Sequence, residues 1–329
     1  MKAIGYSAFG AASDVLGMHE IETPNVDAGG VLVRVTYSGV NPSDVKARSG
    51  SRPGITKPAF ALVVPHSDGA GVIEAVGEGV DPSRIGQRVW IWNGQWQRTF
   101  GTCAEYIALP SEQAVALPDA VSDEIGAVLG IPGLTAIHTV LGAGPVNGKT
   151  VLISGGAGMV GHLAVQIAKA SGAKVIATAS PSKAKSVTDN GADAVLDYRS
   201  ATLATDVIEA NGGALIDHAV EVEFGQNADM LAEVMAPNSR IAAYGSAQQM
   251  RPELPFYAMM FKAITLEAVL VYLLTDTQRR SAIDSLTTLL KAGVINPHID
   301  PAFMPSDAAK AHEAVEANAR SGAVLVKMG

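Results

Sequence analysis

The chain has 329 residues and a mass of 33.9 kDa, so a prior of about 150 residues per domain predicts two domains. Only 24 Lys and Arg stand against 32 Asp and Glu, a formal charge of −8, which argues against the broad cationic surface that nucleic acids require. The single cysteine, Cys103, excludes an intrachain disulfide and a cysteine-rich zinc site, and it reads as a buried structural thiol in a reducing compartment. The most apolar stretch, 256–274, is broken by Lys262 and Glu267 and holds no run near the roughly 18 residues of a membrane span. The N-terminus lacks the apolar run of a secretory signal, so a soluble, cytoplasmic protein is expected.

Up to about residue 122, short β-branched runs alternate with turn residues, as in VLVRVTYSG (31–39), GVIEAVGEGV (71–80) and RVWIW (88–92). Gly and Pro at 50–54 and 81–86 predict compact turns rather than crossover helices, hence a barrel or sandwich. From Ser122 onward, predominantly apolar runs at 150–154, 174–179, 194–198, 215–220 and 240–245 alternate with segments of helical length such as 162–172 and 183–192. Such runs are strands buried on both faces, and β-α-β order makes a parallel, doubly wound sheet. Its last strand is expected at 265–271, followed by a helix over 281–293 and a terminal strand that returns to the first domain.

The strongest chemical signal is Gly156-Ala157-Gly158-Met159-Val160-Gly161, a G-x-G-x-x-G after the strand VLIS and before a helical segment. The first Gly is expected to make the tight turn, the second to admit a pyrophosphate, and the third to let the helix pack on the strand. An NAD enzyme places an acid about 20 residues on, at the end of the next strand. Here the sequence reads Thr178-Ala179-Ser180-Pro181-Ser182-Lys183, with a hydroxyl and a cation instead, which favours NADPH over NADH.

Together with this loop and the domain order, GVNPSDVKARSG (39–50) resembles the medium-chain dehydrogenase/reductase superfamily, and within it the zinc-free, zeta-crystallin-like quinone oxidoreductase group. The resemblance implies an α/β protein in which a GroES-like β-rich catalytic domain (1–122 and 273–329) joins a Rossmann domain (123–272), with cofactor and substrate in the cleft between them. It also implies that Lys183 and Tyr198 hold the 2′-phosphate of NADPH, that Tyr244, Gly245 and Ser246 form a small cofactor loop, and that Thr135 lies beside the nicotinamide. Arg320, near the C-terminus, does not align cleanly with a further basic phosphate contact of some members.

Metal-dependent relatives carry a Cys where Asn41 stands, a Glu after their His where Ser67 follows His66, and a second Cys where Ile131 stands. With only His66 left of about three ligands, no metal is expected, and His66 reads as a hydrogen-bonded structural residue. Without a metal to stabilise an alkoxide, a quinone or enone that delocalises the incoming charge is the chemically sensible substrate. Asn41 is the first candidate to orient substrate or nicotinamide, against a plain turn role before Pro42. Asp44 and Arg48 stand as polar cleft residues or, spaced i, i+4, as a surface ion pair. Lys46 replaces a frequent Tyr of relatives, and Arg52 stands where enoyl-thioester reductases carry an acid-donating Tyr. Trp90, Trp92 and Trp96 either stack on a ring or pack a shortened loop. The leading expectation is an NADPH:quinone reductase; the alternatives are an alkenal or enoyl-thioester reductase and a non-catalytic NADPH-binding protein. An apolar edge at 265–271, paired in family members, predicts a homodimer.

Overall fold

A computed structural model describes residues 1–51, 54–317 and 322–329. They form two compact units, Met1–Ile131 with Pro297–Gly329, and Pro132–Asn296. The first unit opens with strand β1 (Lys2–Gly5), helix α1 (Ala12–Val15) and β2 (Gly17–Glu20). There follow β3 (Gly30–Val40), α2 (Pro42–Ser49), β4 (Asp68–Val76), β5 (Arg88–Ile91), β6 (Tyr106–Pro110), β7 (Ala114–Ala116) and α3 (Asp123–Gly126).

Strand β3 is the hub of this unit. Its two-residue period turns Val31, Val33 and Val35 into the core, each fully buried, while Arg34 points outward to Glu74 at 2.6 Å. Burying each of these side chains contributes about 1.5–3 kcal/mol. Strand β4 runs antiparallel along one edge of β3, and β6 pairs with residues 30–34 on the other. The turn-only connections expected from sequence fail after β3, where α2 begins at once. Asn41 stands at its N-cap, Pro42 supplies the preset φ of its first turn, and Gly50 ends it at φ 75.

The second unit holds α4 (Leu134–Leu141), β8 (Thr150–Ile153), α5 (Met159–Ala170), β9 (Lys174–Ala179), α6 (Pro181–Asp189) and β10 (Ala194–Asp197). It continues with α7 (Leu203–Ala210), β11 (Ile216–Glu221), α8 (Phe224–Val234), β12 (Met235–Ala243), α9 (Phe256–Phe261), β13 (Thr265–Ala268) and α10 (Asp276–Lys291). The six strands lie in the order β10-β9-β8-β11-β12-β13, all parallel, which is the doubly wound Rossmann arrangement. The runs of β8, β9 and β11 are largely buried as expected, every residue of β8 being inside, whereas β10, at the sheet edge, is only half-buried along its length.

Three boundaries differ from the sequence reading. Strand β13 stops at Ala268, and a short 3₁₀ turn, Val271–Leu273, follows where the strand was expected to run on. The return to the first unit begins at Pro297 rather than at 273, because α10 packs on α4 across a groove lined by Ile137, Leu141 and Ala282. Residues 123–131 in turn stay with the first unit, where a β-carbon on Gly39 would stand 2.3 Å from the Ala127 carbonyl. The returning segment supplies α11 (Ala308–Glu316) and β14 (Val324–Lys327), the latter antiparallel to β3 with Val324 opposite Val40. No helix among the described residues is long and apolar enough to cross a membrane.

Helix α11 also closes a buried polar chain. Thr102 donates to the Asp68 carbonyl, and Ser38 Oγ lies 2.7 Å from Thr102 Oγ1 and 2.8 Å from His66 Nδ1. His66 Nε2 in turn lies 2.9 Å from His312 Nε2. With Thr102 committed to the carbonyl, each contact receives one proton only if Ser38 donates to Thr102, His66 Nδ1 to Ser38, and His312 to His66. His66 is thus hydrogen-bonded through both ring nitrogens, as expected from sequence, and stands at φ 77.

Burial pushes both imidazoles below their ordinary pKa, His66 far below and His312, with Arg48 nearby, down to about 3. The unfolded chain therefore binds more protons than the folded one below the ordinary histidine value of about 6.5, and stability is lost as pH falls through that value. Asp68 and Glu221, raised by burial, act in the opposite sense, so the histidine contribution is read by comparing wild type with His312→Gln: wild type should lose stability to urea more steeply between pH 7 and pH 5, by up to about 1.4 kcal/mol per pH unit. Equal slopes would contradict a neutral, buried His312.

Candidate functional site

The glycine-rich loop 156–161 lies in the second unit. Strand β8 makes its last ladder contact through Ser154 N to Val220 O at 2.9 Å, and the chain must turn immediately. The tight turn therefore falls on Gly155, at φ 70, and not on Gly156 as the sequence motif suggested. Thr178 of β9 fastens it, accepting from Gly155 N at Oγ1 (3.1 Å) and from Gly156 N at its carbonyl (2.8 Å). The third glycine acts as expected, because a β-carbon on Gly161 would stand 2.2 Å from the Gly155 carbonyl and lift α5 off the loop. At Gly158 a β-carbon would meet only that same carbonyl, at 3.4 Å, so one side of the loop is open. Gly158 is also the N-cap of α5 and lends no side chain to its first-turn amides. Open glycine backbone at a helix N-terminus suits an anion such as a pyrophosphate, with Ala157, Met159 and Val160 completing the rim.

The strand edge beside the loop carries the residues read as phosphate contacts. Ala179 lies opposite Asp197 in register, so Ser180 and Tyr198 leave neighbouring strands about 4.8 Å apart. Ser180 is the N-cap of α6 and Lys183 is exposed in its first turn. Tyr198 is half exposed. The carboxylate missing at the end of β9 stands one strand over as Asp197, a residue the sequence reading passed by, and Arg199 occupies both of its oxygens.

The segment 244–246 is locked to the end of β11. Tyr244 N donates to Glu221 O at 2.9 Å, a β-carbon on Gly245 would stand 2.2 Å from Val222 O, and Ser246 Oγ accepts from Gly225 N at 2.9 Å. Glu221 is itself buried; burial pushes its carboxyl up while Glu223 N and Asn227 Nδ2 hold one oxygen. Thr135 is buried on α4, and its carbonyl accepts from Thr139 Oγ1 at 2.8 Å.

In the first unit, Asn41 is buried and donates from Nδ2 to Asp68 Oδ2 at 2.8 Å, while its backbone N–H donates to Asp44 Oδ2 at 2.8 Å. Asp44 is thus a capping carboxylate of α2. Asp68 is fully buried; burial, with the Asp44 carboxylate nearby, holds it well above the usual carboxylate range. Its other oxygen lies against Gly130, where a β-carbon would approach to 2.4 Å. Sequence reading missed Asp68, although its place two residues after His66, in HSDGAG, was a usable signal.

Neither expectation for Arg48 survives. Its guanidinium is 1% exposed and donates to the Gly10 carbonyl and to Glu316 of α11, so it is neither a surface partner of Asp44 nor open to a ligand. Trp90, within β5, is fully buried, and Trp92 nearly so, donating to the Glu112 carbonyl at 3.1 Å; neither presents a stacking face. Cys103 is buried and its thiol pushed up by burial, the inert state expected. Arg52 and Arg320 lie outside the described residues. Among the described residues no three His, Cys, Asp or Glu side chains converge as a metal site.

Known families match both units. Residues 27–119 match the alcohol dehydrogenase GroES-like domain, and residues 159–288 match a family described as zinc-binding dehydrogenase. A quinone oxidoreductase of Sus scrofa is 30% identical over 315 residues, 95% of this chain and 93% of the relative. A mycobacterial Rv1454c structure complexed with NADPH superposes with a TM-score of 0.86 at 28% identity, covering 99% of this chain and all of the other. A Pseudomonas syringae quinone oxidoreductase gives 0.84 at 28% identity, with 99% of each chain covered.

Arg48→Met should cost about 2–3 kcal/mol of stability, below the 3–5 of a fully buried broken pair because Glu316 keeps 37% of its surface in water. Turnover per folded molecule should be unchanged. Loss of turnover without loss of stability in urea titration would restore a catalytic role.

Proposed function

The chain belongs to the zinc-free quinone oxidoreductase group of the medium-chain dehydrogenase/reductase superfamily, and from that premise we propose that it reduces quinones or related electron-poor conjugated carbonyls with NADPH, without a metal. The observation that carries the reading is the donor set where metal-dependent relatives hold zinc: Asn41 is committed to Asp68, and both nitrogens of His66 are committed to Ser38 and His312. Bound NADPH supplies the hydride. The glycines of 156–161 and the first turn of α5 bind its pyrophosphate, Ser180, Lys183 and Tyr198 select its 2′-phosphate, and 244–246 with Thr135 border the nicotinamide end. Asn41 keeps one amide hydrogen after serving Asp68, and that hydrogen steadies the substrate oxygen on which charge grows. A conjugated acceptor spreads that charge, so one neutral donor suffices.

Steady-state oxidation of NADPH against quinones, enones, enoyl thioesters and simple ketones tests the substrate class, with quinones or enones expected to turn over and ketones not. Preference for an enoyl thioester would move the chain to the alternative reductase reading, and no turnover at all to the non-catalytic one. Exhaustive chelation should leave activity intact, and elemental analysis should find no stoichiometric zinc; one tightly held zinc whose removal abolishes turnover defeats the metal-free reading.

Asn41→Ala should lower single-turnover hydride transfer by on the order of 10²-fold with NADPH affinity held, while losing roughly 1 kcal/mol through the α2 cap. An unchanged transfer rate with only the stability loss assigns Asn41 to capping alone.

We also propose a homodimer. Among the described residues strand β13 pairs only with β12, and the neighbouring α9 exposes Phe256, Tyr257 and Phe261, an apolar edge that a second copy would cover. Light scattering at micromolar concentration should give twice the chain mass; a monomer excludes it.

A further inference from the structure

At the outer corner of the Rossmann sheet, an arginine that the sequence motif does not include is poised beside the phosphate-selecting residues. Strand β10 is the edge strand, and just past it Arg199 lays its guanidinium over the Tyr198 ring, 5.3 Å from ring centre to Cζ. Asp197 orients it from below: Nε reaches Oδ1 at 3.1 Å, Nη2 reaches Oδ2 at 3.3 Å, and the Arg199 backbone N–H donates to Oδ1 at 3.1 Å. The side chain remains 58% exposed.

A guanidinium carries five N–H donors, and Asp197 occupies two of them, which leaves three directed elsewhere. Those three stay available without breaking the Asp197 pair. The stacked ring and the carboxylate fix the plane of the fork in advance, so little rotamer freedom remains to be lost on binding. Asp197 balances Arg199, whereas Lys183 has no ion-pair partner among the described residues. The next lysine, Lys185, is bound instead to Asp189 at 2.7 Å. The strand register brings the two sides together, since Ala179 faces Asp197 and the chains emerging after them are Ser180 and Tyr198.

We infer that Arg199, held on Tyr198 by Asp197, is a second cation of the 2′-phosphate pocket and a determinant of phosphate specificity. The inference rests on the NADPH reading and adds to it a residue and a geometry: the ribose phosphate sits between the Lys183 ammonium, as a point charge, and the planar fork of Arg199. It also gives Asp197 a role. As a bare carboxylate it would repel a phosphate, and paired to Arg199 it becomes the anchor of the group that attracts one.

The test is calorimetric binding of 2′,5′-ADP and 5′-AMP to the whole chain at fixed low salt, with the variants Arg199→Gln and Arg199→Lys. Wild type should prefer 2′,5′-ADP, and Arg199→Gln should weaken 2′,5′-ADP by about tenfold, as for loss of a charge-assisted contact at a partly exposed site, with 5′-AMP within about twofold. Arg199→Lys should fall between, since it keeps the charge and loses the fork. Melting temperatures close to wild type would show that the variants fold. If wild type prefers 2′,5′-ADP and Arg199→Gln keeps that preference within about twofold, the Arg199 assignment is overturned while the NADPH reading stands. If wild type shows no preference, the NADPH reading itself fails and this inference with it.

Discussion

The pairing of β14 with β3 is the constraint on which the first unit depends. Strand β3 receives β4 along one edge, but its other edge is only half covered by β6. Residues 37–40 are left for a strand that arrives nearly three hundred residues later in the chain. Until it arrives, the backbone immediately before Asn41 has an open ladder, and an open ladder invites slippage and foreign pairing. The same returning segment brings His312 to His66 and Glu316 to Arg48. One late segment therefore completes the sheet and also satisfies two buried polar groups of the first. Closing so long a loop is slow, although its entropic cost grows only with the logarithm of length.

Ionisable groups are buried in this protein where they can hold backbone or a capping side chain in place. Arg48 spans from the N-terminal segment to α11, Asp44 caps α2, and Asp68 fixes the side chain of the capping asparagine. In the second unit, Glu267 on the edge strand β13 reaches His138 of α4 at 2.9 Å and pairs with Arg240, whose guanidinium also donates to Thr139 O at 3.1 Å. Such groups stabilise little on balance because desolvation offsets attraction, but losing one partner leaves the other stranded. They specify geometry more than they add stability. That suits a protein whose proposed chemistry needs a single amide and a few backbone N–H groups held in place.

The glycine-rich loop after β8 shows how close packing and openness are divided among adjacent glycines. Gly161 and Gly155 press together with no room for a methyl group, whereas Gly158 faces open space. The tight contact is what keeps the open one in register with the helix, because shifting α5 outward would carry the N-terminal amides with it. Thr178 reaches across from β9 to hold the turn from the other side.

Much of this was legible in the residues alone. Continuous apolar runs against alternating ones separate a parallel sheet from an antiparallel one, because burial on two faces or on one is written directly into period and hydropathy. The strand-loop-helix placement of 156–161 was equally visible, and so was the lack of an acid after β9. Three things were not. The spacing of Asp44 and Arg48 suggested a pair, yet each has a different partner, Arg48 through a glutamate 268 positions away. The acid beside the end of β9 lies on β10, opposite Ala179, which only strand register reveals. The tight turn sits on Gly155 because the ladder contact to Val220 sets where β8 must end. Local pattern determines which face of an element is buried, since that depends on neighbours along the chain; partners of buried charges and the register of strands depend on neighbours across it, and only the tertiary structure decides those.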